Sequence, residues 1–169
     1  LLIAYSTKHR RIFFFKMERY LITTAIKETW RYDTPLVFLG DWCLSIGGKE
    51  QLTGVDYVIQ DYHWNDRDVL YQDHLYLKKL YKNLIVCVAD ELNSYHGCEH
   101  SVRYWEIIVG PWLMIFTQSV YDRWNSIDNV AKNYKISGTC QIEDEIPTPY
   151  NFSDFHNMAA GDYWNHYIF

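Results

Sequence analysis

Missing from this 169-residue sequence are the short motifs that mark the commonest nucleotide and acyl chemistries. No G-x-G-x-x-G, G-x-x-x-x-G-K-[ST] or G-x-S-x-G string occurs, so dinucleotide, P-loop and α/β-hydrolase readings lose their main support. Positive charge is scarce as well. Sixteen Lys and Arg stand against 21 Asp and Glu for a net charge of -5, and no basic stripe gathers, so no nucleic-acid partner is expected. The cysteines, Cys43, Cys87, Cys98 and Cys140, are widely separated and form no C-x-x-C or other zinc-type pair. Reduced thiols in a cytoplasmic protein are the expectation. The most apolar stretch, Tyr104 to Phe116, is interrupted by Glu106 and Gly110-Pro111. It falls short of the roughly 20 residues that span a bilayer, so no transmembrane helix is expected. Internal repeats and low-complexity segments are absent.

Aromatic residues, by contrast, are plentiful: 15 Tyr, 7 Trp and 8 Phe make up 18% of the chain. They suit a packed core, and they also suit a sugar-binding cleft, because Tyr and Trp join apolar bulk to a polar edge. A hydrophobic content of 49% over this length is enough to bury the core of one domain. Residues 1–16 carry charges after their first apolar residues and show no small-residue cleavage site, which argues against a signal peptide. The first Met is Met17, directly before a strand-like run, so residues 1–16 are expected to be an upstream or non-native leader to a domain over 17–169.

Three apolar runs come early: Arg19 to Ala25, Pro35 to Gly40 and Val55 to Gln60. Short continuous runs of this kind fit strands buried on both faces, which predicts adjacent parallel strands in an α/β fold. Gly47-Gly48 should break the chain between the last two. Asn65 or Asp66 should cap a long amphipathic helix, because Leu70, Leu77, Leu80, Leu84, Val88 and Leu92 recur at spacings of three, four or seven before Gly97. A second helix should start at Ser101, kink or restart at Gly110-Pro111, and run towards Asn133. Lys135 to Ile142 is a further strand candidate, Glu143-Asp144-Glu145 an acidic turn, and Ser153 a cap for a short last helix.

Candidate chemistry falls in two places. One is the loop after the first strand, where Thr23, Thr24, Glu28 and Trp30 would stand at a strand's carboxyl end, the edge at which open α/β sheets collect ligands. Glu28 could serve there as a general base, or could complement a helix dipole while Thr23 and Thr24 cap the turn. Asp41-Trp42 after the second run, and Tyr62-His63-Trp64 after the third, should share that edge. The other place is the segment from His96 through His100 to Arg103, Tyr104 and Trp105. Two histidines four apart would suit a metal if both were helical, but Gly97 between them argues against that geometry, and no metal site is assigned.

The strings RYLITTAIKETW, PLVFLGDWC, YHWNDR and HGCEHSVRYWEIIVGPWL, followed by DRW, resemble in that order the amino-terminal region of a family of transferases encoded in bacterial O-antigen and related surface-polysaccharide loci. The most specific element is HSxRYWxxxxGPW, and the resemblance covers about 17–169. It implies a Rossmann-like parallel sheet with long flanking helices, similar to the first half of a two-domain glycosyltransferase. That half would bind a sugar or glycolipid acceptor. Family members are longer than this chain, so a carboxyl-terminal domain is expected to bind the nucleotide-sugar donor, with no cofactor and no activity in residues 17–169 alone. The setting it implies is lipopolysaccharide assembly in the cytoplasm, at most peripherally at the inner membrane. Glu28, His96 and His100 are then the candidate acid-base residues. Arg103 would hold an anion through its planar fork, with Thr23, Thr24, Trp30, Asp41, His63, Trp64, Tyr104 and Trp105 lining the substrate. The two segments would meet on one edge. The alternatives are a metal-dependent hydrolase using His96 and His100, and a non-catalytic carbohydrate-binding module.

Overall fold

The computed structural model describes residues 17–44, 48–143, 145 and 147–169. The leader at 1–16, Gly47 of the glycine pair and Asp144 of the acidic turn lie outside the described residues.

All three early apolar runs are strands: β1 (Glu18–Ile22), β2 (Leu36–Phe38) and β3 (Tyr57–Ile59). They pair in parallel, Tyr20 opposite Leu36 and Phe38 opposite Ile59. Leu36, Val37 and Phe38 are wholly buried, which is why β2 reads as an unbroken apolar run rather than an alternating one. The runs outlast their strands at residues 23–25, 39–40 and 60, which shape the loops at the carboxyl edge, while 35 and 55–56 precede the pairing. A fourth strand, β4 (Lys135–Thr139), pairs in parallel with β1 on the side away from β2, giving the order β3-β2-β1-β4. The chain thus steps outward from β1 to β3 and returns to the far side of β1. This reversal is the pattern of a Rossmann-like sheet, whose ligands sit outside the strands' carboxyl ends. Among the described residues, only short 3-10 turns, such as Lys27–Thr29 and Asp41–Cys43, occupy the connections between β1, β2 and β3. Helical mass is concentrated between β3 and β4.

There stand α1 (Arg67–His96) and α2 (Val102–Asn133). Their ends follow the predicted signals. The Asp66 carboxylate accepts from the N–H groups of Asp68 and Val69, Gly97 closes α1 at φ 63°, and the Ser101 hydroxyl accepts from Tyr104 N–H. The two helices pack side by side. Gly110 lets them approach closely, since a Cβ there would lie 2.6 Å from the Tyr81 hydroxyl and would have to displace it. The expected restart at Pro111 does not occur: α2 runs through the proline, whose ring lies on the exposed side of the helix. The last turns of α2 add Val130 and Ile127 to the sheet's core, whereas its first turns extend beyond the carboxyl edge with α1.

Two short helices complete the fold, α3 (Phe152–Ala159) and α4 (Asp162–Ile168). The cap of α3 is Asn151, not Ser153, because the Asn151 side chain reaches Asp154 N–H and starts the helix one residue before Ser153. Phe155 anchors α3 against Trp112 and Phe116 of α2 and against Trp164 of α4. No helix among the described residues is long and apolar enough to cross a membrane.

Candidate functional site

A cleft of about 790 Å³ opens at the carboxyl edge of β1, β2 and β3. Thr24 follows β1, Asp41 and Trp42 follow β2, and Asp61 and Tyr62 follow β3. Asp122 and Arg123 of α2 form the opposite wall, which Asp162 and Asn165 of α4 continue. Local sequence explains the near wall. Trp42 folds back over Gly40, where a Cβ would lie 2.1 Å from the indole, so only glycine leaves room. The indole N–H then donates to Thr23 C=O at 3.3 Å, and the ring meets Tyr62 edge-on at 5.7 Å, bridging the loops after β1 and β3. Trp42 remains 40% exposed.

The far wall is held by charge. Arg123 donates through Nε to Asn165, through Nη2 to Ala159 C=O and through Nη1 to Asp122, so all three nitrogens are engaged. Burial lowers the Arg123 pKa from its usual value, and Asp122 partly offsets this. Tyr62 donates to Asp122 at 2.8 Å, and burial, followed by the Asp122 charge, raises the phenol pKa well above its normal range. His63 is only 5% exposed, with Nε2 3.5 Å from Asp122 but without hydrogen-bond geometry. Burial lowers the His63 pKa more than Asp122 and Asp73 raise it. Asp162 accepts from Ala25 N–H at 3.1 Å, which fixes α4 to the loop after β1.

Two lining carboxylates, Asp41 and Asp61, have no side-chain partner among the described residues, and the buried Thr24 hydroxyl has none either. These groups, with Trp42, can accept hydrogen bonds from a polar ligand and offer a ring face to its C–H bonds.

Thr24 and Asp41 therefore lie in the cleft, and Thr23 contributes its carbonyl through Trp42. Neither threonine caps the following turn, whose N-cap is Ile26. Trp30 is corrected from ligand platform to core: it is 6% exposed, packs edge-on against Phe38 and donates to Thr24 C=O. Glu28 lies on the exposed 3-10 turn and does not line the cleft. Trp64 donates to Asp73 at the start of α1, and His63 borders a second hollow beside the first.

The segment from His96 to Trp105 does not join this edge. It forms the tip of the α1–α2 hairpin, about 27 Å along α2 from Arg123 to Trp105 at the usual helical rise. Asn93 explains much of its motif. The Asn93 amide oxygen accepts from His100 N–H and from the Trp105 indole, while its NH₂ donates to His100 C=O. His96 stacks on Trp105 and His100 on Tyr104, so the two imidazoles go to different neighbours. Arg103 is 75% exposed and pairs with Glu106 one turn on. Among the described residues no three His, Cys, Asp or Glu converge as metal ligands.

Sequence reasoning placed Tyr62 on this edge but missed Asp61, Asp122, Arg123 and Asp162 as site residues. Asp61 follows the third run directly and Asp122-Arg123 lie in the DRW string, so a signal existed for those three. Asp162 had none, because its place depends on α4 folding back onto the sheet. No curated protein and no solved structure matches the chain. The family model for the LIC12162 family transferase matches residues 19–169, and the chain belongs to that family.

Proposed function

We propose that this transferase moves a sugar from a nucleotide donor to a sugar or glycolipid acceptor in assembly of bacterial O-antigen or a related surface polysaccharide, and that the cleft holds the acceptor. The observation that carries the reading is the pair of unpartnered carboxylates, Asp41 and Asp61, beside the half-exposed Trp42. Carboxylates accept hydrogen bonds from vicinal hydroxyls, and an indole face covers the C–H side of a sugar ring. One of them would take the proton of the attacking hydroxyl as its oxygen bonds to the anomeric carbon and the nucleoside diphosphate leaves with the bonding electrons. Each of the three Arg123 nitrogens already donates to a protein group, so the donor phosphates are assigned to a carboxyl-terminal domain of the full-length enzyme. Residues 17–169 alone would then be inactive, and the enzyme would work in the cytoplasm or at the inner face of the membrane.

In the full-length enzyme, Asp41→Asn or Asp61→Asn should lower transfer by about 100-fold or more if the altered residue is the base, with the melting temperature nearly unchanged. Glu28→Gln should stay near wild type. Wild-type rates in both aspartate variants, measured with radiolabelled donor, would overturn the reading.

A further inference from the structure

Beside the first cleft lies a second hollow of about 700 Å³, between the start of α1 and the later turns of α2. The two share Gln60, Asp61, Tyr62 and Asn65, so they are lobes of one groove that passes over Tyr62. The far side of the second lobe is a column on α2, Asn125, Asn129 and Asn133, each four residues from the next. Side chains at that spacing stand about 6 Å apart on one helix face. Asn133 reaches Gln60 at 3.2 Å. Asn125 and Asn129 are half-buried and make no side-chain hydrogen bond among the described residues.

Of the acidic groups of this lobe, only Asp61, shared with the first lobe, is left without a side-chain partner among the described residues. Asp73 accepts from the Tyr121 hydroxyl at 2.7 Å and from the Trp64 indole at 2.9 Å, and Asp66 caps α1. His63 Nε2, buried and without a hydrogen bond, borders the same lobe. What remains for a ligand is the Asp61 carboxylate, which only accepts, the amides of Asn65, Asn125 and Asn129, each with two donors and one acceptor oxygen, and one imidazole nitrogen. Among the described residues no Lys or Arg lines the lobe, so they offer no cation to a phosphate or carboxylate. Its chemistry suits a neutral ligand rich in hydroxyls.

We propose that the second lobe is a subsite for a further sugar unit, so that the acceptor is a chain of at least two residues, one beside Trp42 and the next against Asn125 and Asn129. The inference rests on the acceptor reading of the first lobe and specifies its substrate. Isothermal titration of the full-length enzyme with mannose, mannobiose, N-acetylglucosamine and chitobiose tests it, with inorganic pyrophosphate as the anionic comparison. At least one disaccharide should bind about tenfold more tightly than its monosaccharide. Asn125→Ala and the isosteric Asn129→Asp should erase that difference while leaving monosaccharide affinity and melting temperature unchanged, and Asp41→Asn should weaken both sugars. Equal affinities for mono- and disaccharide, with both asparagine variants inert and Asp41→Asn still weakening, would overturn the second subsite and leave the acceptor cleft standing. Pyrophosphate binding that the asparagine variants remove would overturn it too. Binding of none of the four sugars by wild-type enzyme would overturn both readings.

Discussion

Gly40 is where the wall of the cleft depends most on a single residue. Its backbone is extended, at φ -176°, so the requirement is for space and not for an unusual conformation. Gly40→Ala would drive a methyl group into the Trp42 ring, and a loss of about 1–3 kcal/mol is expected from such overpacking. Urea unfolding should register that loss, and titration should show weaker sugar binding in the same variant. His63 supplies a second test. Its folded-state pKa lies below the usual 6.5, so the unfolded chain takes up the proton first as pH falls. Stability is therefore full above about pH 6.5 and declines as pH drops through that value towards the folded pKa. His166 is lowered by burial in the same direction. His63→Gln should make the acid decline shallower without removing it, as read by denaturant midpoints from pH 7.5 to 5; an unchanged slope would contradict the assignment.

Between elements, the α1–α2 hairpin separates architecture from chemistry. Its tip carries the string HGCEHSVRYW, and Asn93 holds much of that string in place. One side chain satisfies the Trp105 indole and both backbone groups of His100, holding closed the connection between two long helices. Asn93→Ala should cost about 1–3 kcal/mol by orphaning these groups, with faster hydrogen exchange confined to residues 93–105 and sugar affinity in the cleft unchanged. Arg103→Lys should be nearly silent, because an exposed pair one turn apart contributes less than about 1 kcal/mol. Farther along α2, Trp112 stacks on Phe116 at 5.0 Å and meets Phe155 edge-on. Trp112→Ala should cost about 3–5 kcal/mol, an effect on stability and not on recognition.

For the molecule as a whole, Arg123 decides whether the cleft has a second wall. It ties α2 to Ala159 and Asn165, and thus α3 and α4 to the sheet edge where Asp162 meets Ala25. Arg123→Lys keeps the charge but loses the planar fork, so about 2–3 kcal/mol should be lost, with exchange rising across 152–169 and sugar binding weakened. The fold itself was largely legible. Short apolar runs ending at Gly40 and Gln60, the Asp66 and Ser101 caps and Gly97 are local signals, and local physics settles them: backbone burial sets the strands and terminal N–H groups set the caps. The position of the cleft was legible too, since loops after parallel strands must open at one edge. Which residues face it was legible only for Thr24, Asp41, Trp42 and Tyr62. Trp30 turned into the core because Phe38 and the Thr24 carbonyl could satisfy its ring and its N–H, while Trp42 turned outward over a glycine. The His96–Trp105 segment fell far from the sheet because α1 and α2 continue as one unbroken hairpin. Residue type and order determined the strands, the helices and their ends; only long-range packing of α2, α3 and α4 against the sheet decided which carboxylates were left without partners, because that depends on neighbours a hundred residues away in the chain.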